Sequence, residues 1–235
     1  MSVAPFPSTR RSVVLALASA DEAERTRAFD TLVACYWKPL YKLARVAWRK
    51  SREDAEDLTQ SFFTRAFEKE SLAGYDAAKA SFRTFLRLLF DRHASNEWKA
   101  GQRIKRGGSE VHLDFESAEA EIGPERASVS PEEYFHREWV RSVFTLAVTR
   151  LKERAEHEGK HVAFAIFEAY DLDEDRGVSY RELATRFDLP ETQVTNHLST
   201  MRRRFREVVL EALREVTATK AEFRAEAKSL LGAGR

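Results

Sequence analysis

The chain is poor in cysteine, glycine and proline, with 1, 9 and 6 of these among 235 residues. Its single cysteine, Cys35, excludes an intramolecular disulfide and suits a reducing compartment. No apolar run approaches the roughly 20 residues that span a bilayer, so membrane insertion is not expected. Charge of one sign is lacking too: 39 Lys and Arg against 38 Asp and Glu leave a net +1. That balance argues against a protein that coats nucleic acid unaided. The opening "MSVAPFPSTRRSVVLALASADEAE" sets two arginines before an apolar run, as a secretion signal does. The run is short, however, and acidic helical sequence follows at once, so residues 1–20 read as an extension of a cytoplasmic protein. Strand-type alternation and internal repeats are absent as well.

What the sequence does have is helical periodicity over most of its length. Phe29, Leu32, Val33, Tyr36, Leu40, Leu43, Ala44 and Ala47 share one face, with Pro39 expected to kink the helix. Ser51 is an N-cap candidate for a second helix with the apolar stripe Ala55, Leu58, Phe62, Phe63, Ala66 and Phe67. Asp54, Glu56, Asp57, Gln60 and Ser61 lie away from that stripe. After the loop "SLAGYDAAKA", a third helix runs from about Ser81 to about Lys99, with Phe82, Phe85, Leu86, Leu89 and Phe90 inward. Gly107 to Pro131 has Gly, Ser, Pro and many carboxylates without a long period, and reads as a flexible acidic linker. Helix then resumes, with Tyr134, Phe135, Trp139, Val143, Leu146, Ala147 and Leu151 on one side. The expected fold is all-α: helical domains at 21–106 and 132–217, the linker 107–131 between them, and a short helical tail 218–235.

The charges are unevenly spread. Basic residues dominate Arg87 to Arg106, nine carboxylates face two arginines from Gly108 to Glu138, and "RRRFR" spans 202–206. Two metal-like patterns need weighing. "HEGKH", His157 to His161, fits the zinc-protease signature, but both histidines must then share one unbroken helix, and Gly159 reads better as a C-cap. Asp171, Asp173, Asp175 and Glu182 approach a calcium loop, but Arg176 stands where the sharp turn demands glycine and no second loop pairs with it. The competing reading makes Glu182 the capping-box partner of Ser179. No cofactor or metal is therefore expected.

That cap opens a helix–turn–helix pattern, "VSYRELATRFDLPETQVTNHLSTMRRRFREVV". Val194, Leu198, Met201, Phe205 and Val208 make the buried stripe of its second helix. Thr192, Gln193, Thr195, Asn196, Ser199, Thr200 and Arg203 form the outer face, with short polar groups and an arginine that suit base edges and phosphates in a major groove. Upstream, "FRTFLRLLFDRHASNEWKAGQRIKRGG" interleaves aromatics with cations, and Trp98 near its basic end could stack on a base.

Together these segments resemble bacterial RNA polymerase sigma factors of the extracytoplasmic-function type. "AFDTLVACYWKPLYKLARVAWRKSREDAEDLTQSFFTRAFEKE" followed by "FRTFLRLL" is similar to the family's second conserved region, and the helix–turn–helix to its fourth. "FPSTRRSVVLAL" and "DAEDLTQSFF" resemble a large subgroup common in planctomycetes and acidobacteria. The resemblance implies no catalysis. It implies that Asp54, Glu56, Asp57, Gln60 and Ser61 dock on the β′ clamp of core polymerase, with the β flap as a further contact. The loop Ser71 to Ala80, with Gly74, Tyr75 and Lys79, would capture a flipped base of the −10 promoter element, flanked by Arg83, Trp98, Lys99, Arg103, Lys105 and Arg106. The helix from Glu191 would read the −35 element. An anti-sigma factor or a serine/threonine kinase is the regulator the family leads one to expect. Asp91-Arg92 replaces the family's Arg-Asn pair and Asn96 its following aspartate, which bears on −10 selectivity. The alternatives are a stand-alone helix–turn–helix regulator and, more remotely, a calcium-binding regulatory protein.

Overall fold

A computed structural model describes residues 16–17, 21–68, 71–100, 113–122, 130–173 and 177–232. The described residues are helical, with turns and no strand. The run at 12–20 read as signal-like lies almost wholly outside them. None of the described helices is long and apolar enough to cross a membrane.

Helix α1, Glu22–Val46, starts where the Asp21 carboxylate accepts from the Ala23 amide at 2.9 Å. It is central to its unit, with Leu32, Cys35, Tyr36, Leu40, Tyr41, Leu43 and Ala44 fully buried. It continues through Pro39, which brings no backbone N–H to the helical ladder. Helix α2, Arg52–Glu68, begins at the expected cap, with the Asp54 amide donating to Ser51 Oγ at 3.1 Å. Its Phe62 and Phe63 meet Phe90 and Phe29 edge-on. A 3-10 turn, Ser71–Gly74, leads to α3, Phe82–Ala100.

Helix α4, Phe115–Ala120, stands where a flexible linker was expected. Over 113–122 that expectation is corrected. Asp114 caps the helix by accepting from the Ser117 amide at 3.1 Å, and Ala118 is fully buried. Phe115 packs on Trp37 and Tyr41, with ring centroids 5.6 and 5.1 Å apart. The physical reason is charge matching. Lys38, Lys42 and Arg45 fall at i, i+4 and i+7 of α1 and so form one stripe. Glu121 reaches Lys38 at 2.6 Å and Lys42 at 2.7 Å. Glu119 takes the Arg45 Nε hydrogen bond at 2.9 Å and that of the Tyr41 hydroxyl at 2.6 Å. The Arg45 bond holds the Glu119 carboxyl down at about 2.

Helix α5, Pro131–His157, ends in a Schellman turn: Lys160 N–H donates to Ala155 O and Gly159 N–H to Glu156 O, with Gly159 at φ +68. Helix α6, His161–Phe167, runs on through a π turn, Glu168–Leu172. Then follow α7, Tyr180–Phe187, α8, Glu191–Val216, and α9, Lys220–Leu231.

The chain divides into two compact units, residues 1–142 with 213–235, and residues 143–212. This division does not coincide with the linker at 107–131. In the first unit the opening turns of α5 join the α1 core: Trp139 lies against Tyr36, and Glu138 meets the buried Lys42 at 2.6 Å. In the second, Val143, Ala147, Leu151, Phe164, Phe167, Leu183, Val194, Leu198, Met201 and Val208 are buried.

Candidate nucleic-acid interface

Helix α7 begins with a complete capping box. The Glu182 amide donates to Ser179 Oγ at 3.2 Å, while Glu182 Oε2 accepts from the Ser179 amide at 2.7 Å. The Ser179 amide, then its hydroxyl donating at 2.8 Å, holds the Glu182 carboxyl below its ordinary value. The turn to α8 passes through Asp188 in the left-handed region, φ 51, with the Leu189 amide donating to Ala184 O. Pro190 supplies the first carbonyl of α8, which accepts from both Gln193 and Val194. Leu183 on α7 and Val194, Leu198 and Met201 on α8 then point into the unit's core.

The opposite face of α8 is the expected one. Thr192, Gln193, Thr195, Asn196, Ser199 and Arg203 are exposed and Thr200 is half-buried. Within "RRRFR" the arginines divide. Arg202 forks onto Asp171 with two bonds of 2.8 Å and lies over the Tyr170 ring, and Arg204 meets Glu158 at 2.7 Å. Arg203 stays outward. The Arg202 fork engages Asp171, the first of the calcium-loop carboxylates, with a protein cation. It also leaves two of the four calcium-loop carboxylates, Asp171 and Glu182, engaged with protein groups. Asp175 lies outside the described residues. His157 and His161 lie on different helices, either side of the Schellman turn, and no metal-ligating cluster occurs among the described residues.

In the first unit, α2 presents Asp54 and Asp57 to solvent, with Glu56 and Gln60 half-buried. Glu56 pairs with Arg52 at 2.7 Å. Ser61 turns inward, its Oγ 2.9 Å from His93 Nε2 on α3. Burial, then the nearby Arg65 charge, pushes that imidazole down to about 4. Phe62, Arg65, Ala66, Leu89, Arg92, His93 and Asn96 line a shallow cavity of about 180 Å³ between α2 and α3. Arg92 and Asn96, two of the departures from the family pattern, therefore share one small surface feature. Asp91 is instead held by Arg87 at 2.9 Å, and burial raises its carboxyl.

The loop residues gather at the start of α3. Gly74 is exposed, and a Cβ there would meet nothing within 4 Å. Lys79 is exposed and pairs weakly with Asp76 at 3.4 Å. Tyr75 packs edge-on against Phe82 and donates to Ala80 O at 3.1 Å, and burial, then Glu222, pushes its phenol up to about 12. Arg83 is half-buried, over the Trp139 ring at 5.0 Å and 2.9 Å from Glu226 on α9. Trp98 and Lys99 occupy the last turn of α3, with their side chains outside those described, and Arg103, Lys105 and Arg106 lie outside the described residues. The sequence reading missed α9 as a neighbour of this loop. Its local signal was the "TKAE" capping pattern, in which the Glu222 amide donates to Thr219 Oγ1 at 3.1 Å. No known protein-family model matches the chain, and no curated protein matches it.

Proposed function

We propose that the chain is an RNA polymerase sigma factor of the extracytoplasmic-function type. It works in the cytoplasm as two helical modules. The observation that carries this reading is the polar face of α8, whose exposed Thr192, Gln193, Thr195, Asn196, Ser199 and Arg203 follow a capped helix and a tight turn. An α-helix fits the major groove, and its N-terminal residues reach the base edges there. The loop around Gly74 to Lys79 and the start of α3 take the melted −10 strand, and Asp54, Glu56, Asp57 and Gln60 dock on the polymerase clamp, with the inward-turned Ser61 behind them. Charge supports the division of labour. A net +1 gives little affinity for duplex DNA alone, so the polymerase must supply most of it.

Gel-shift titration of promoter fragments, with and without core polymerase, tests this against a stand-alone regulator. The expected outcome is weak binding alone and a stable, sequence-specific complex once core is added. Tight, specific binding to palindromic sites without core would replace the proposal with the regulator reading.

A further inference from the structure

Helix α9 packs on the surface that the proposed function assigns to the −10 strand, and it does so with its acids. Glu222 Oε1 accepts from the Phe82 amide, in the first turn of α3, at 2.8 Å. Its second oxygen accepts from the Ala218 amide at 2.8 Å. One turn on, Glu226 Oε1 accepts from Arg83 Nη2 at 2.9 Å. Both carboxylates thus sit where a strand phosphate would meet a helix N-terminus and an arginine.

The way α9 is held matters as much. A helix that belongs to a core buries an apolar stripe. Among the α9 residues the one that is buried is a carboxylate, Glu226, while Phe223, Leu230 and Leu231 are only half-buried. The hold is therefore mainly electrostatic, and another anion can replace it. Nor does it satisfy the site: Arg83 Nε is buried and has no hydrogen-bond partner. Arginine prefers to fork onto two acceptor oxygens. The single contact from Glu226 supplies one, where a phosphate could supply both.

We propose that α9 is an autoinhibitory strap, whose Glu222 and Glu226 occupy the start of α3 and Arg83 in place of the phosphates of a single DNA strand. Single-stranded DNA and α9 then exclude each other. This rests on the sigma-factor reading for its biological setting, but the exclusion stands or falls separately.

The test is fluorescence anisotropy with a labelled single-stranded oligonucleotide, using the full chain and its Glu222→Gln, Glu226→Gln variant. Freeing a site that is mostly closed should tighten binding by about tenfold or more. Adding Arg83→Ala should abolish that gain. Unchanged or weaker binding by the double variant overturns the strap, as does a gain that survives loss of Arg83. Should the variant misfold by circular dichroism, hydrogen exchange on the unaltered chain decides. Saturating oligonucleotide should speed exchange of the α9 amides while α3 stays protected, and α9 amides that stay protected overturn the proposal. A tightened variant whose chain never engages core polymerase keeps the strap and removes the sigma reading. Core-dependent transcription with no gain in the variant does the reverse.

Discussion

At residue scale, Glu182 separates two chemistries. A bidentate calcium ligand must give both carboxylate oxygens to the metal, whereas here Glu182 Oε2 caps α7 by accepting from the Ser179 amide and hydroxyl. Titration calorimetry should show no calcium binding at millimolar concentration, and Ser179→Ala should cost about 1 kcal/mol as a lost N-cap. Asp188 points the other way. Its left-handed backbone, φ 51, strains any side chain, so Asp188→Gly should stabilise by up to about 1 kcal/mol in urea melts. His93 sets a pH window. Its folded value of about 4 lies below the ordinary 6.5, so the unfolded chain takes the proton first. Stability is full above the unfolded value and falls as pH drops from there through the folded one. Glu119, held at about 2, stabilises fully above its ordinary value of 4.5 and loses that contribution only as pH falls from there towards 2. Melts from neutral pH downwards should show the loss, and His93→Gln should flatten it in the upper part of that range.

At element scale, the capped and periodic helices were legible in the sequence, and the charge-docked ones were not. Ser51 and Ser179 announced α2 and α7, and the α8 stripe fixed which face turns outward. Helix α4 has six residues, too few to display a period, and its partners on α1 are 74 to 83 positions away in sequence. Helix α9 had a visible cap, but its partner, Arg83, lies 143 positions earlier. Long-range charge pairing leaves no periodic trace, so the acidic stretch read as linker and the tail as an appendage. The site was legible to the same degree: the outward face of α8 was, the acids laid over Arg83 were not. The ion cluster under α4 carries its own prediction. Lys42 is buried between Glu121 and Glu138. Lys42→Met should cost about 3–5 kcal/mol by leaving Glu138 buried beside fewer cations, and Lys42→Met with Glu138→Met should recover most of it. A double-mutant cycle by urea unfolding measures both.

At the scale of the whole molecule, the proposed function sets a groove-reading helix, a strand-capturing loop and a polymerase-facing helix in one nearly neutral chain. On that proposal none of these surfaces suffices alone, and activity requires the complex with core polymerase. On the proposed reading Asn196, exposed on α8, carries an amide that can fork onto an adenine, and Asn196→Ala should cost about 1–3 kcal/mol at one base pair while leaving folding intact. Run-off transcription with purified core polymerase on a library of promoter fragments, with and without the chain, is the most direct test of the central claim. The account predicts defined start sites only when both are present, with Asn196→Ala relaxing the preference upstream of them. No specific start, together with no complex between the chain and core polymerase, would contradict it.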